Sequence, residues 1–197
     1  MTTTLRDLVG LGHQAPSLKD SALIMIDCQN TYRRGIMQLE GVEPAIREAQ
    51  KLLEMARDLK VPVIHIQHDA GEGSPYDVRA DIGMISSEVS PISGESVITK
   101  NYPHAFIQTE VDQRLKALGV QNIVLAGFMT HMCINSTAHG GFNLGYAPIV
   151  VASATATRAL PASDGSVVPA AAVQAAALAA TRDLYAVVVE SAGDLVA

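Results

Sequence analysis

The sequence predicts a single-domain α/β fold, a doubly wound three-layer sandwich around a six-stranded, mainly parallel sheet. Short apolar runs alternate along the chain with segments of helical period. These runs lack the regular polar alternation of strands that have one face in water. The composition, 48% hydrophobic and 17% charged over 197 residues, provides for one buried core. Right-handed crossovers between such strands place helices on both faces of the sheet.

Strands are predicted where apolar runs are bounded by turn residues. In chain order they cover residues 22–27, 62–67, 97–100, 123–126, 148–151 and 186–190. Helices are predicted at 42–59, 110–118, 133–144 and 170–184. Pro44 lies in the first turn of the first helix, and Gly119 ends the second. Residues 69–96 are rich in glycine, serine, proline and aspartate, which indicates a long irregular segment.

The composition also excludes several classes of partner. The net charge of −6 argues against nucleic acid or an anionic membrane, and no apolar stretch is long enough to span a bilayer. Residues 1–20 do not resemble a signal peptide and are expected to form an arm that packs on a neighbouring subunit, before a domain at 21–197. The chain has two cysteines, Cys28 and Cys133, which gives no disulfide framework and favours the cytoplasm.

Three polar residues lie at or just past the carboxyl ends of predicted strands: Asp27, Lys100 and Cys133. Each alone has an ordinary interpretation, as a capping residue, a surface lysine and a small buried side chain. A doubly wound sheet brings these strand ends to one edge, where ligands bind. Cys133 is also predicted near a helix N-terminus, which favours a thiolate. Together the three provide a nucleophile, a base and a compensating charge.

Three sequence blocks carry a resemblance to a known family. They are residues 23–30 (LIMIDCQN), 100–106 (KNYPHAF) and 127–134 (GFMTHMCI). With these blocks in this order, the chain resembles the isochorismatase-like cysteine hydrolases over roughly residues 20–190. That family includes nicotinamidases and N-carbamoylsarcosine amidase. The resemblance implies a catalytic triad of Asp27, Lys100 and Cys133.

The resemblance also implies a mechanism. A cis peptide is expected between Phe128 and Met129, and the backbone N–H groups of Met129 and Cys133 are expected to form an oxyanion hole. The substrate would be a small amide, ureide or carbamoyl compound, hydrolysed through a thioester on Cys133 without a cofactor. The family forms dimers and larger assemblies, so a homo-oligomer, a dimer or a tetramer, is expected.

The chain departs from its relatives after the second strand. Nicotinamidases hold a metal there through an aspartate and histidines, whereas this chain has His68 in the aspartate's position and Ala70 in that of the first histidine. No metal is predicted; binding through His68 and Asp69 is the less favoured alternative, and His68 is predicted to line the pocket. Isochorismate-cleaving members lack the nucleophilic cysteine. Ser153 stands where many members have an acidic residue and is expected to be structural.

The remaining candidates are predicted to surround the substrate. Tyr102 and His104, with Phe106 nearby, are predicted to shape the pocket. His131 is interpreted as a pocket or interface residue, with a Cys–His pair as the alternative. Cys28 is expected to point to the opposite face of its strand and to be inert. Two other functions stay open: a redox-active thiol protein, and a catalytically inactive binding relative of the fold.

Overall fold

The fold is built on one central sheet whose strands are all parallel. The computed structural model describes residues 2–195. Its strands are β1 Ser21–Ile26, β2 Val63–His68, β3 Ser96–Lys100, β4 Asn122–Phe128, β5 Ala147–Ala156 and β8 Val187–Val189. A small separate hairpin pairs β6 Leu160–Pro161 with β7 Val167–Val168. The strand order of the central sheet is β3-β2-β1-β4-β5-β8. The predicted fold class is confirmed, and the sheet is parallel throughout.

Helices cover both faces of the sheet. They are α1 Leu5–Leu8, α2 Val42–Asp58, α3 Val111–Leu118, α4 Asn135–Asn143 and α5 Ala170–Asp183. Side chains alternate along β1, so that Leu23 and Met25 join the apolar core under α2, whereas Ile24 joins the core under α3 and α4. The two cores are the two halves of a three-layer sandwich.

Three elements differ from the prediction. β5 continues to Ala156 instead of ending at Val151, because the small residues beyond Val151 stay in the sheet although they break the apolar run. The hairpin of β6 and β7 was not predicted. Cys133 does not open α4 but lies in a π-helical turn, Thr130–Ile134, that precedes it. The predicted irregular segment 69–96 contains two short 3₁₀ turns and otherwise no helix or strand before Ser96.

The N-terminal arm contacts its own chain. The buried Arg6 donates a hydrogen bond to the Leu184 carbonyl at 2.9 Å, and the Leu5 N–H donates to the Asp183 carboxylate at the end of α5. Leu8, by contrast, is 72% exposed. The contact of the arm with a neighbouring subunit stays a prediction. Within residues 2–195, no helix is both long and apolar enough to cross a membrane.

Candidate active site

Three strand ends bring Asp27, Lys100 and Cys133 together. Asp27 directly follows β1 in the left-handed region, with φ 51°, and its N–H donates to the Ile66 carbonyl of β2 at 2.9 Å. Lys100 is the last residue of β3, and its long side chain reaches past β2. Cys133 lies in the turn after β4, the other neighbour of β1. The sheet order therefore converts three distant sequence positions into one cluster.

The Lys100 ammonium lies at the centre of this cluster. Its Nζ is 2.7 Å from Asp27 Oδ2, 3.4 Å from Cys133 Sγ and 3.2 Å from His68 Nδ1. An ammonium has three N–H donors and no acceptor, so each donor has a partner here. The side chains of Lys100 and Asp27 are both fully buried. Both carboxylate oxygens of Asp27 are buried without a hydrogen-bond partner in the described chain, so the charge of Lys100 is what compensates the buried carboxylate.

Burial controls the ionisation of the carboxyl and the thiol. It raises the pKa of Asp27, and the Lys100 ammonium opposes this rise. Burial, helped by the charge of Asp27, raises the pKa of Cys133 to about 12, again against the effect of Lys100. The expectation that a helix N-terminus would favour the thiolate is therefore corrected, because desolvation outweighs it. At neutral pH the thiol keeps its proton until a base removes it.

The backbone beside the thiol has two unusual features. The peptide between Phe128 and Met129 is cis, as the resemblance implied. Gly127, just before it, has φ 121°, and a Cβ at this position would collide with the Ile26 carbonyl of β1. Only glycine fits this approach of β4 to β1. The Met129 carbonyl accepts the N–H groups of Met132 and Ile134, which closes the turn that holds Cys133.

Comparison with known proteins identifies the family. The family model described as the isochorismatase domain matches residues 21–192. The chain belongs to the isochorismatase family. A crystal structure of an isochorismatase from Pseudomonas putida KT2440 is 32% identical, covers 100% of both chains and has a TM-score of 0.95.

Two curated relatives of this isochorismatase-family protein differ in what they are named for. A secreted isochorismatase effector of Verticillium dahliae is 31% identical over 96% of this chain and 97% of its own. The ureidoacrylate amidohydrolase RutB of Stutzerimonas stutzeri is 28% identical over 72% of this chain and 71% of its own. Because one of these relatives is named as secreted, the cytoplasmic location of this family member stays a prediction.

His68 lies at the site, where it contacts Lys100 and Tyr76. Burial, and then the charge of Lys100, lower the pKa of His68 to about 4, so its ring is neutral at neutral pH. Because the ammonium can only donate, Nδ1 accepts and the ring proton lies on Nε2. The ring also packs edge-on against Tyr76, with centroids 5.1 Å apart.

His68 and Asp69, the residues of the alternative metal site, both have contacts within the protein. His68 Nδ1 faces the Lys100 ammonium, and Asp69 Oδ1 accepts the Gly71 N–H at 2.9 Å. Among residues 2–195 no cluster of three or more histidine, cysteine, aspartate or glutamate side chains has a metal-binding arrangement.

The other predicted pocket residues lie in different environments. The His104 ring packs on Gly140 of α4, about two helical turns beyond Cys133, and its Nδ1 accepts the Phe106 N–H at 3.1 Å. His131 Nδ1 is 2.6 Å from Thr157 Oγ1, so its hydrogen bond goes to the end of β5 instead of forming a Cys–His pair through this nitrogen. Tyr102 is 44% exposed. A role of these three in substrate binding stays a prediction.

Cys28 and Ser153 have structural surroundings. Cys28 is buried in the core under α2, where burial and the neighbouring Asp27 raise its pKa. The Ser153 N–H donates to the Glu190 carbonyl at 2.9 Å, which continues the pairing of β5 with the end of β8. That Cys28 is inert and Ser153 structural stays a prediction.

The sequence analysis missed two aromatic residues, Tyr32 and Tyr76, and one cation, Arg158. Tyr32 is buried and packs edge-on against Phe128 and Tyr76, with centroid distances of 5.7 Å in both cases. Arg158 is half-buried and lies two residues beyond the end of β5. Because the apolar run ends at Val151, the prediction did not place Arg158 at the end of a strand. The observed strand ends at Ala156, so Arg158 lies just beyond its carboxyl end.

Proposed function

We propose that this protein is a cysteine-dependent hydrolase that cleaves the C–N bond of a small amide, ureide or carbamoyl compound. One observation carries the proposal: the buried Lys100 ammonium lies within hydrogen-bonding distance of both the Asp27 carboxylate and the Cys133 thiol. This arrangement couples a nucleophile to a base across a fixed positive charge. Asp27 would be the base, Cys133 the nucleophile, and Lys100 the group that holds both anions.

The first half of the reaction forms a thioester. Asp27 takes the thiol proton, and the raised pKa of its carboxyl makes it a stronger base than an exposed aspartate. The Cys133 sulfur then bonds to the carbonyl carbon, and the N–H groups of Met129 and Cys133 hold the oxyanion. When the C–N bond breaks, Asp27 returns the proton to the nitrogen, which leaves as ammonia or an amine.

The second half of the reaction restores the enzyme. A water molecule attacks the thioester carbon while Asp27 takes one of its protons. The C–S bond breaks, the proton passes to the sulfur, and the carboxylic or carbamic acid leaves. Asp27 thus acts as base and acid in turn, and Lys100 keeps its charge throughout.

The relatives support this class of reaction without deciding the substrate. RutB is named as a ureidoacrylate amidohydrolase, which acts on a C–N bond, whereas other relatives are named as isochorismatases. Cleavage of a vinyl ether needs an acid but no thiol, so Cys133 distinguishes the two reactions. A redox function is disfavoured because peroxide oxidises thiolates, and the Cys133 thiol has a pKa of about 12 and is 5% exposed.

The test is turnover combined with detection of the thioester. Wild-type protein is incubated with a panel of small amides, ureides, carbamoyl compounds and isochorismate, and released ammonia, amine or pyruvate is measured. Acid-quenched samples are digested, and the Cys133 peptide is weighed by mass spectrometry. The expected result is ammonia or amine release with an acyl mass on Cys133. Turnover of isochorismate alone, or rapid peroxide reduction without hydrolysis of any C–N bond, contradicts the proposal.

The expected pH dependence follows from Asp27. The reaction needs the ionised carboxylate, so kcat/KM falls as the pH drops through the raised pKa of Asp27, above the 3.8 of an unperturbed aspartate. Because the thiol pKa is about 12, no second change is expected near pH 9, where an ordinary cysteine ionises. A profile with a step near pH 9 shows instead that the thiol ionises independently of Asp27.

His68 offers a further test through its hydrogen bond with Lys100. His68→Ala removes the acceptor and is expected to lower kcat/KM by about 10- to 100-fold, because hydrogen bonds to charged groups contribute about 1.5–3 kcal/mol. His68→Asn places an amide oxygen near the position of Nδ1 and should retain most of the activity. Steady-state kinetics of both variants test this prediction. An equal loss of kcat/KM in the two variants shows that the hydrogen-bond acceptor for Lys100 is not the cause of the loss.

A further inference from the structure

Gln29 is a fully buried polar residue to which the reaction scheme gives no role. Its Oε1 accepts the His68 N–H at 2.9 Å, and its Nε2 donates to the His68 carbonyl at 2.9 Å and to the Gly83 carbonyl at 2.6 Å. Because Nε2 faces two carbonyls and Oε1 faces an N–H, these partners also fix the orientation of the amide. Both N–H donors are used, so the side chain is held firmly in place.

The Gln29 amide takes the place of a neighbouring strand at the end of β2. The ladder between β1 and β2 ends at Ile26, and the chain then turns away at Asp27 with φ 51°. His68 lies beyond the end of this ladder. There the side-chain amide of Gln29 binds both its N–H and its carbonyl, as the peptide groups of a strand would. On its other side His68 pairs with Lys100 of β3, so its backbone is held from both sides.

Gln29 is also bonded to Asp27. Its backbone N–H donates to the Asp27 carbonyl at 2.7 Å, which closes the turn after β1. The Lys100 ammonium has three partners: the Asp27 carboxylate at 2.7 Å, His68 Nδ1 at 3.2 Å and the Cys133 thiol at 3.4 Å. Gln29 therefore binds the backbone of two of the three residues that surround the ammonium.

A second connection from Gln29 to His68 passes through the irregular segment. Gly83, whose carbonyl accepts from Gln29, closes a tight loop, since a Cβ there would collide with the carbonyl six residues earlier in the chain. Tyr76 lies directly before this loop and packs edge-on against the His68 ring, with centroids 5.1 Å apart. The amide that binds the His68 backbone therefore also anchors the loop beside the residue that contacts the His68 ring.

We infer that Gln29 is a positioning residue for the reaction: its amide holds His68 so that Nδ1 stays on the Lys100 ammonium. The inference rests on the proposed function for the reaction itself and adds the residue that aligns the buried charge. A lysine ammonium stands on a flexible stem, so its partners decide where it lies. With His68 free to move, one N–H loses its acceptor and the ammonium is no longer fixed between Asp27 and Cys133. The chemical step should suffer, whereas substrate binding should not.

Variants of two glutamines test the inference. Gln29→Met keeps the length of the side chain and removes its hydrogen bonds. Gln67→Met is the matched control, because the Gln67 amide also donates to the Gly83 carbonyl, at 2.9 Å, but makes no hydrogen bond with His68. Gln29→Met should lower kcat about 10-fold and leave KM within about 3-fold, whereas Gln67→Met should keep kcat within about 3-fold. An equal loss of kcat in the two variants overturns the inference. Gln29→Asn, a shorter amide, should fall between and replaces Gln29→Met in every comparison if the methionine variant does not fold.

The His68→Ala background separates positioning from a merely structural role. Alanine keeps the backbone N–H and carbonyl that Gln29 binds but has no ring, so Gln29→Met should cost the same stability in both backgrounds. Its effect on kcat should vanish where the ring is missing. Urea denaturation and steady-state kinetics of the wild type, the single variants and the double variant measure the two effects. A loss of kcat that is as large in the His68→Ala background as in the wild type overturns the inference.

The ring proton of His68 gives a readout that does not need turnover. Long-range proton–nitrogen NMR spectra of the wild type should show this proton on Nε2, because Nδ1 accepts from Lys100. In Gln29→Met both tautomers should be populated, and the His68→Ala spectrum identifies the signals. A wild-type ring proton on Nδ1, or an unchanged tautomer in Gln29→Met, overturns the inference. If the tautomer changes as expected while no C–N bond of the panel is hydrolysed, the positioning of His68 stands and the proposed function is rejected.

Discussion

Cys133→Ala is expected to lower kcat by at least about 10⁴-fold while the protein stays folded. Loss of a catalytic nucleophile costs about 10⁴- to 10⁶-fold, because the covalent route is removed and only binding and the oxyanion hole remain. The thiol is small and lies at the edge of the core, so the cavity left by its sulfur should lower the free energy of unfolding by about 1 kcal/mol. Turnover of the substrate found in the panel and thermal unfolding measure the two effects.

Cys28→Ala is the matched control, since it makes the same chemical change at a buried thiol on the other side of the sheet. Cys28 lies in the core under α2 and Cys133 in the core under α3 and α4. The control should retain kcat within about 3-fold and lose a similar amount of stability. If Cys133→Ala keeps more than a tenth of the wild-type activity, the sulfur is not the nucleophile and the thioester scheme fails.

The meeting of Asp27, Lys100 and Cys133 was predictable because it depends on topology. Each lies at or just beyond the end of a strand, and parallel strands bring their carboxyl ends to one edge whatever their side chains are. The family resemblance added the cis peptide before Met129, which is present. The pattern of apolar runs and helices made the meeting of the three residues plausible, and the family resemblance implied the triad.

The protonation state of the Cys133 thiol was not predictable from the sequence, because it depends on how deeply the thiol is buried. A helix N-terminus favours a thiolate, but Cys133 lies in a π-helical turn and is nearly fully buried, so its pKa rises. Whether desolvation or the helix dipole prevails is decided by side chains that close the site from other segments. Tyr32, in the turn after β1, packs on Phe128 beside the turn of Cys133 and on Tyr76 of the irregular segment, and no local pattern marks these two tyrosines.

The contacts of individual side chains could not be predicted from the sequence either. His68 was predicted to line the pocket, but the 3.2 Å contact of its Nδ1 with the lysine ammonium was not predicted. His104 appeared in the lysine block, yet its ring packs into the space that Gly140 leaves free on α4. The sequence pattern places both histidines in the correct strand or turn. It does not show which neighbour each one contacts, because that depends on how α4 and β3 pack.

Asp27→Asn is expected to lower both activity and stability. Activity should fall by at least about 10³-fold, because the amide cannot take the thiol proton. The free energy of unfolding should fall by about 3–5 kcal/mol, because the change leaves the fully buried Lys100 without a counter-charge. Kinetics and urea denaturation give the two numbers. Unchanged stability would show that Lys100 gains little from Asp27 in the folded protein.

Lys100→Met separates the effect of Asp27 on stability from its effect on activity, through the pH dependence of the free energy of unfolding. Without the ammonium, the pKa of the buried Asp27 should rise further above its unfolded value, so the folded state binds more protons than the unfolded state. Stability should therefore fall as the pH rises from about 4 towards the new pKa of Asp27, over a wider pH range than in the wild type.

The double variant Asp27→Asn/Lys100→Met completes the cycle. It buries no charge, so it should recover most of the stability that Asp27→Asn loses, although it remains inactive. If the double variant is as unstable as the sum of the single ones, the two side chains act independently and the pair contributes to folding through separate contacts. If stability returns while activity does not, the buried pair is retained for proton transfer at Cys133, since an uncharged pair of similar shape would hold the fold equally well.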